Sequence, residues 1–206
     1  MPISGTPHGA PDFAQRAAFY AVIACWWVFG LTFWLRRRSP QAREAKRDWI
    51  SLSGLLMQAA AYFCVWSYPL QRKQPSPIPS RSPVVEWGLA GLTVALAVGS
   101  AWLVNAAARH LGKQWALAAR LIEGHTLIQD GPYRFVRNPI YAGMLGLLLA
   151  TGLAVTERIP LLLAMMLFIA GTYIRVRSEE RLLRQAFGSE FEEYARKVPA
   201  LIPGIY

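Results

Sequence analysis

GPYRFVRNPIYAG, residues 131–143, sets two arginines, two prolines and two tyrosines against the start of a long apolar run. Asn138-Pro139 is a helix-start signal: asparagine is a favoured N-cap, and proline at the first helical position forfeits no hydrogen bond. The apolar residues that follow, Pro139–Val155, would form a helix of roughly 26 Å at about 1.5 Å per residue. That is close to the ~30 Å thickness of a bilayer's hydrocarbon layer. The stretch therefore reads as the place where the chain enters a membrane from a polar face.

Working outward, the rest of the chain supports a polytopic all-α membrane protein. Of its 206 residues, 54% are hydrophobic and only 17% charged. The apolar residues fall in blocks rather than in the short alternation of a soluble core. Five blocks have membrane length or nearly so: Ala17–Leu35, Trp49–Tyr68, Val84–Ala106, Pro139–Val155 and Pro160–Ile174. The last two are short, so their ends are expected in the headgroup region.

The net charge of +10 raises the question of nucleic acid, but its distribution answers otherwise. Seventeen of the 22 Lys and Arg lie in three stretches, Arg36–Arg47, Arg109–Arg137 and Arg175–Lys197. With five spans these stretches share one side, as the excess of basic residues in cytoplasmic loops requires. The expectation is an integral protein of a bacterial inner membrane, N-terminus outside and C-terminus cytoplasmic, with no nucleic-acid partner. No cleaved signal peptide is expected, because Arg36-Arg37-Arg38 follows the first apolar run at once. Cys25 and Cys64 lie in apolar spans, and His8, His110 and His125 are too scattered for a ligand cluster, so no metal is expected. The Pro/Ser-rich QRKQPSPIPSRSP, residues 71–83, reads as an extended outer loop.

Organisation divides near residue 100. Residues 1–99 hold the N-terminal spans and the outer loop, and residues 100–206 hold the candidate catalytic region, within one integrated domain. Beyond Ile174, Leu182, Leu183, Ala186 and Phe187 recur at helical spacing on a charged background, the pattern of an interfacial helix. Gly188 is placed to cap it, with another short helix running to about Lys197.

The TERIP turn at 156–160 folds the last two spans into an antiparallel hairpin. Counting from a turn near 157–158 sets Arg175 level with Ile140 and Tyr141 level with Ile174. Several groups then share one depth. They are a helix N-terminus that favours an anion, Arg137 and Arg175 as cations, Tyr133 and Tyr141 as amphipathic rings, and Glu179 at i+4 from Arg175, with Glu180 one position round. Such a set suits a zwitterionic ligand. Read as surface chemistry alone, the same residues are membrane anchors and a solvated ion pair.

GHTLIQDGPYRFVRNPIYAG at 124–143 and RVRSEERLLRQAFGSEFEEYARKVPALIPGI at 175–205 resemble, in that order, the isoprenylcysteine carboxyl methyltransferase family and its phospholipid-methylating relatives. The resemblance implies a membrane enzyme that uses S-adenosyl-L-methionine from the cytoplasmic side. It implies cofactor contacts from His125, Thr126, Leu127, Ile128, Tyr133, Asn138, Pro139, Ile140 and Tyr141. It also implies that Arg175 and Glu179 or Glu180 stand by the reacting groups. Asn138 replaces the family's usual histidine, which removes a titratable group there.

A carboxylate acceptor would be held by Arg175 with no base needed. A thiol or amine acceptor must lose a proton, with Glu179 or Glu180 as base. The acceptor is expected to be lipophilic or small, entering from the bilayer. Two other readings stand beside this one: a nicotinamide-dependent membrane reductase on a similar framework, and a non-catalytic protein that binds lipid or a partner.

Overall fold

The computed structural model describes residues 10–36, 44–47, 49–71, 82–112, 120–122 and 126–201. The chain forms α1 (Ala10–Arg36), β1 (Glu44–Arg47), α2 (Ile50–Gln71), α3 (Pro83–Leu111), β2 (Arg120–Ile122), a 3-10 turn (Gly131–Arg134), α4 (Pro139–Val155), α5 (Arg158–Phe187) and α6 (Ser189–Lys197). Among the described residues, α1, α2, α3 and α5 are each long and apolar enough to cross a membrane, and α4 is a shorter apolar helix. The protein is an all-α polytopic membrane protein. To its helices is added one small antiparallel ribbon, in which β1 pairs with β2. The ribbon was not legible in its charged loops, and it joins the stretch after α1 to the stretch after α3. Most of the Pro/Ser-rich loop at 71–83, expected on the outer side, lies outside the described residues.

Packing is inverted relative to a soluble protein. Large apolar side chains such as Trp27, Trp34, Phe63, Trp102 and Met166 point outward, where lipid makes exposure free of the usual cost. The buried core consists largely of smaller residues, Val22, Ala61, Val65, Ala97, Ala101 and Ala164, closed by Leu147, Leu148 and Phe168. Helix α4 is apolar on every side because it is enclosed by α1, α2, α3 and α5.

The turn between α4 and α5 is as short as expected, Thr156 and Glu157, with Leu161 against Gly152. Beyond it the two helices part, which corrects the picture of a tight hairpin: α5 lies chiefly along α2, and α4 along α3. Small residues decide this. A Cβ added at Gly54 would stand 2.5 Å from the Gly171 carbonyl oxygen, and one at Gly171 would stand 2.6 Å from the Gly54 oxygen. The backbones of α2 and α5 therefore nearly touch. A Cβ at Gly143 would come within 3.0 Å of the Ser100 carbonyl oxygen, which marks a second close crossing between α3 and α4. Close approach through small residues is how helices gain contact where lipid offers no hydrophobic drive.

At about 1.5 Å per residue, the 30 residues of α5 reach roughly 45 Å, more than a bilayer's hydrocarbon depth. The expected interfacial helix after Ile174 is thus the unbroken continuation of α5. It ends at Gly188, whose φ of 51° carries the chain into α6. Acidic residues Glu190 and Glu192 open α6 and Arg196 and Lys197 close it, matching the helix dipole. Phe191, Tyr194 and Val198 form a second, smaller core with Leu127, Leu183 and Phe187.

Candidate active site

Helix α4 begins at Pro139 as the sequence indicated, but Asn138 does not cap it with its side chain. Its carbonyl accepts the Ala142 N–H at 3.1 Å, while its amide Nδ2 donates to the Ala200 carbonyl at 2.9 Å. The reason is the segment after α6, which runs beside the loop. Arg137 N–H donates to Pro199 O at 2.9 Å and Asn138 N–H to Ala200 O at 3.1 Å. The Asn138 side chain thus leaves the first turn of α4 without a side-chain N-cap, and a helix N-terminus of this kind favours an anion.

Tyr141 and Arg175 meet one residue away from the level that counting along the hairpin gave. Arg175, only 4% exposed, donates from Nε to the Tyr141 hydroxyl at 2.8 Å. Its guanidinium carbon lies 5.2 Å from the centre of the Tyr141 ring. The Tyr141 hydroxyl in turn donates to Glu179 Oε1, and the same carboxylate oxygen is 3.7 Å from an Arg175 terminal nitrogen. The three side chains form one hydrogen-bonded unit at the N-terminal end of α4. The Glu179 side chain is 28% exposed.

Glu180 faces elsewhere. Arg137 approaches its Oε1 with Nε and Nη2, both at 2.9 Å, and Arg184 reaches its Oε2 at 3.4 Å. Arg137 also donates through Nη1 to the carbonyl of Ala195 at 2.7 Å and to that of Val198. Arg184 continues the network to Glu192 at 2.7 Å. This clamp ties the loop, α5 and α6 together. It separates the two glutamates that spacing alone left paired: Glu179 belongs with Tyr141 and Arg175, Glu180 with the clamp.

Among the remaining expected contacts, Pro139 is buried and Ile140 half-buried at the α4 start. Thr126 is exposed and Ile128 half-buried, while Leu127 packs on the small core of α6. His125 lies outside the described residues. Tyr133 is buried in the 3-10 turn, and its carbonyl accepts the Tyr194 hydroxyl at 2.6 Å. Burial, with Glu179 nearby, pushes the Tyr133 phenol well above its ordinary range, and burial raises Tyr194 to about 12.

Three participants escaped the sequence reading. Tyr194 supports the turn. His110 lies against Gly131, whose φ of 58° and whose contact of 2.4 Å from a hypothetical Cβ to the imidazole require glycine. Gln58, buried in α2, donates from Nε2 to the Thr172 hydroxyl at 2.8 Å, one helical turn before Arg175. A polar residue inside a span was the available signal for Gln58.

The sequence profile of the phospholipid methyltransferase family matches residues 89–190, a stretch that includes α4, all of α5, the loop before α4 and the Tyr141–Arg175–Glu179 unit. Over this half the chain is similar to membrane methyltransferases of the phospholipid and isoprenylcysteine kinds. A protein-S-isoprenylcysteine O-methyltransferase of Schizosaccharomyces pombe is 32% identical over 87 residues, 42% of this chain and 37% of that protein. The cobalt-zinc-cadmium resistance protein CzcN of Cupriavidus metallidurans is 38% identical over 99 residues, covering 45% and 43%. Methanethiol S-methyltransferase 2 of Bradyrhizobium diazoefficiens is 29% identical over 187 residues, covering 82% and 69%. The chain spans about two fifths of the length of the first two of these relatives. The matched region takes in most of α3 and everything through α5.

Proposed function

We propose that the protein transfers a methyl group from S-adenosyl-L-methionine to a lipophilic or small acceptor at the cytoplasmic face of a bacterial inner membrane, N-terminus outside. The carrying observation is the Tyr141 hydroxyl held between Arg175 and Glu179 beside an uncapped helix start. The basic loops joined by the β ribbon support the orientation. In this reading residues 1–99 scaffold the enzyme and 100–206 carry its site.

The residues present suit the cofactor's charges. An uncapped N-terminal turn at Pro139–Tyr141 fits a carboxylate, and a part-exposed carboxylate with an aromatic ring fits a sulfonium. His125, Thr126, Ile128, Tyr133 and Ile140 would complete its surroundings. When bound, the cofactor supplies an electrophilic methyl group, which passes to the acceptor as its carbon–sulfur bond breaks.

The protein's own part is alignment and exclusion of water, and orientation of this kind can supply roughly 7–11 kcal/mol. Arg175 fixes Tyr141 and Glu179 and offers positive charge to an anionic acceptor. Glu179 takes the proton at its carboxylate when the acceptor is a thiol or amine. Arg137, Asn138 and Glu180 act as positioning residues, since their polar groups are committed to the clamp. The relatives named for a prenylcysteine carboxyl group and for methanethiol motivate two acceptor arms, a prenyl thioether acid and a small thiol.

Purified protein with labelled cofactor and a panel of phospholipid, prenyl-cysteine, thiol and fatty-acid acceptors tests the reading. Transfer to at least one is expected, with S-adenosylhomocysteine raising the melting temperature and NADPH leaving it unchanged. The reverse pattern would assign the site to nicotinamide chemistry, and no shift with either would remove the enzyme reading.

A further inference from the structure

Away from Tyr141 and Arg175, a cavity of about 370 Å³ opens between α1 and α3. Its walls are apolar: Cys25 and Val28 from α1, Val98, Ala101 and Trp102 from α3. Its inner end is polar, formed by Asn105 and Arg109. Arg109 donates from Nε to Asn105 Oδ1 at 2.9 Å, which couples the guanidinium to a second residue of the lining. Among the described residues, no acidic side chain lines the cavity.

Dimensions and charge together point to one class of occupant. Val98 and Arg109 are separated by roughly 16 Å along α3 at about 1.5 Å per residue. That is about half of a ~30 Å hydrocarbon layer, the depth of a single leaflet. An apolar channel one leaflet deep with a fixed cation at its head end matches an acyl chain topped by a phosphate. Arg109 also lies at the end of the bundle where the basic loops gather, the side on which anionic lipids concentrate.

We infer that the α1–α3 groove is a binding site for one anionic phospholipid, whose acyl chain lies along Val28, Val98 and Trp102 and whose phosphate is bound by Arg109. This site is separate from the Tyr141–Arg175–Glu179 unit, which sits on α4 and α5, so the inference does not depend on the methyl-transfer reading. Asn105 has a positioning role, since it aims the guanidinium.

Native mass spectrometry of the full chain, with phosphatidylglycerol and phosphatidylcholine of matched acyl chains, is the test. Retention of phosphatidylglycerol should exceed that of phosphatidylcholine about fivefold, the effect of one near-surface cation. Arg109→Ala should abolish the preference, Val98→Trp should lower retention of both lipids by filling the channel, and Arg177→Ala, an exposed cation on α5, should change nothing. Equal retention of the two lipids by the unaltered chain would overturn the inference. So would a preference that survives Arg109→Ala, or one that falls equally with Arg177→Ala. A dimer without headgroup preference that Val98→Trp disrupts would give the groove to a second copy of the chain and equally overturn it.

Discussion

The Arg175 Nε–H points at the Tyr141 hydroxyl over 2.8 Å, while the hydroxyl's own proton is directed to Glu179. One phenol thus joins a buried cation on α5 to a part-exposed carboxylate on the same helix, from the first turn of α4. The arrangement fixes the carboxylate's orientation before any ligand arrives, which is the preorganisation that transfer chemistry needs.

Tyr141→Phe keeps the ring over Arg175 and removes only that oxygen. Loss of a hydrogen bond to a charged group amounts to about 1.5–3 kcal/mol, so kcat is expected to fall about ten- to a hundredfold. Arg175→Lys should act in the same direction, because an ammonium cannot reproduce the planar fork. Combining the two should cost less than the sum of the single effects, since both break one unit. Calorimetric binding of S-adenosylhomocysteine should stay near the unaltered value in Arg175→Lys, and an equal loss of binding and turnover would move Arg175 to the cofactor.

Removing either half of the clamp should loosen the segment after α6. Arg137→Ala leaves Glu180 buried without its main cation, a change in the range of about 3–5 kcal/mol for a broken buried pair. Glu180→Gln keeps the shape and should be milder. Limited proteolysis near residues 195–200, combined with melting temperature, would show the order Arg137→Ala, then Glu180→Gln, then the unaltered protein.

The two glycine crossings predict a sharp contrast among substitutions that look alike. Gly54→Ala and Gly171→Ala press a methyl group into a facing backbone carbonyl, which cannot rotate away. A loss of about 1–3 kcal/mol is expected for each. Gly91→Ala, with nothing within 4 Å, should be neutral or slightly stabilising. Unfolding in detergent by a thiol-reactive dye that reads Cys25 and Cys64 would separate them.

Tyr194→Phe should cost about 1–2 kcal/mol by leaving the buried Tyr133 carbonyl without its donor. The sign of the pH effect follows from the raised phenol. Folding favours the protonated form, so the contribution is whole below the ordinary tyrosine value of 10.0 and declines as pH rises toward about 12. The stability gap between the two proteins should therefore be flat through neutral pH and narrow only above about 10.

How much of this was legible in the sequence depends on distance along the chain. The spans, the Asn-Pro helix start and the Arg175–Glu179 face follow from local rules of length, capping and i,i+4 spacing. The Tyr141–Arg175 meeting came within one residue because a short turn makes depth countable. The clamp was hidden for the opposite reason: Arg137 finds Glu180 43 positions away and Ala195 58 positions away, across elements whose mutual placement no periodicity encodes. The exchange of hairpin packing for α2–α5 and α3–α4 pairs turned on single glycines that look alike in sequence but differ in what faces them. The β ribbon joins two segments of four and three residues, Glu44–Arg47 and Arg120–Ile122, too short to carry an alternating pattern, so strand propensity gave no sign of it.

The backbone pairing of Asn138 with Ala200 also orders events in time. The loop emerges from the ribosome 62 residues ahead of the segment that secures it. At ~5–20 residues per second this means roughly three to twelve seconds of synthesis with the loop unsecured. Until then Arg137 lacks its carbonyl partners, so a nascent chain already threaded into the bilayer has still to close the clamp.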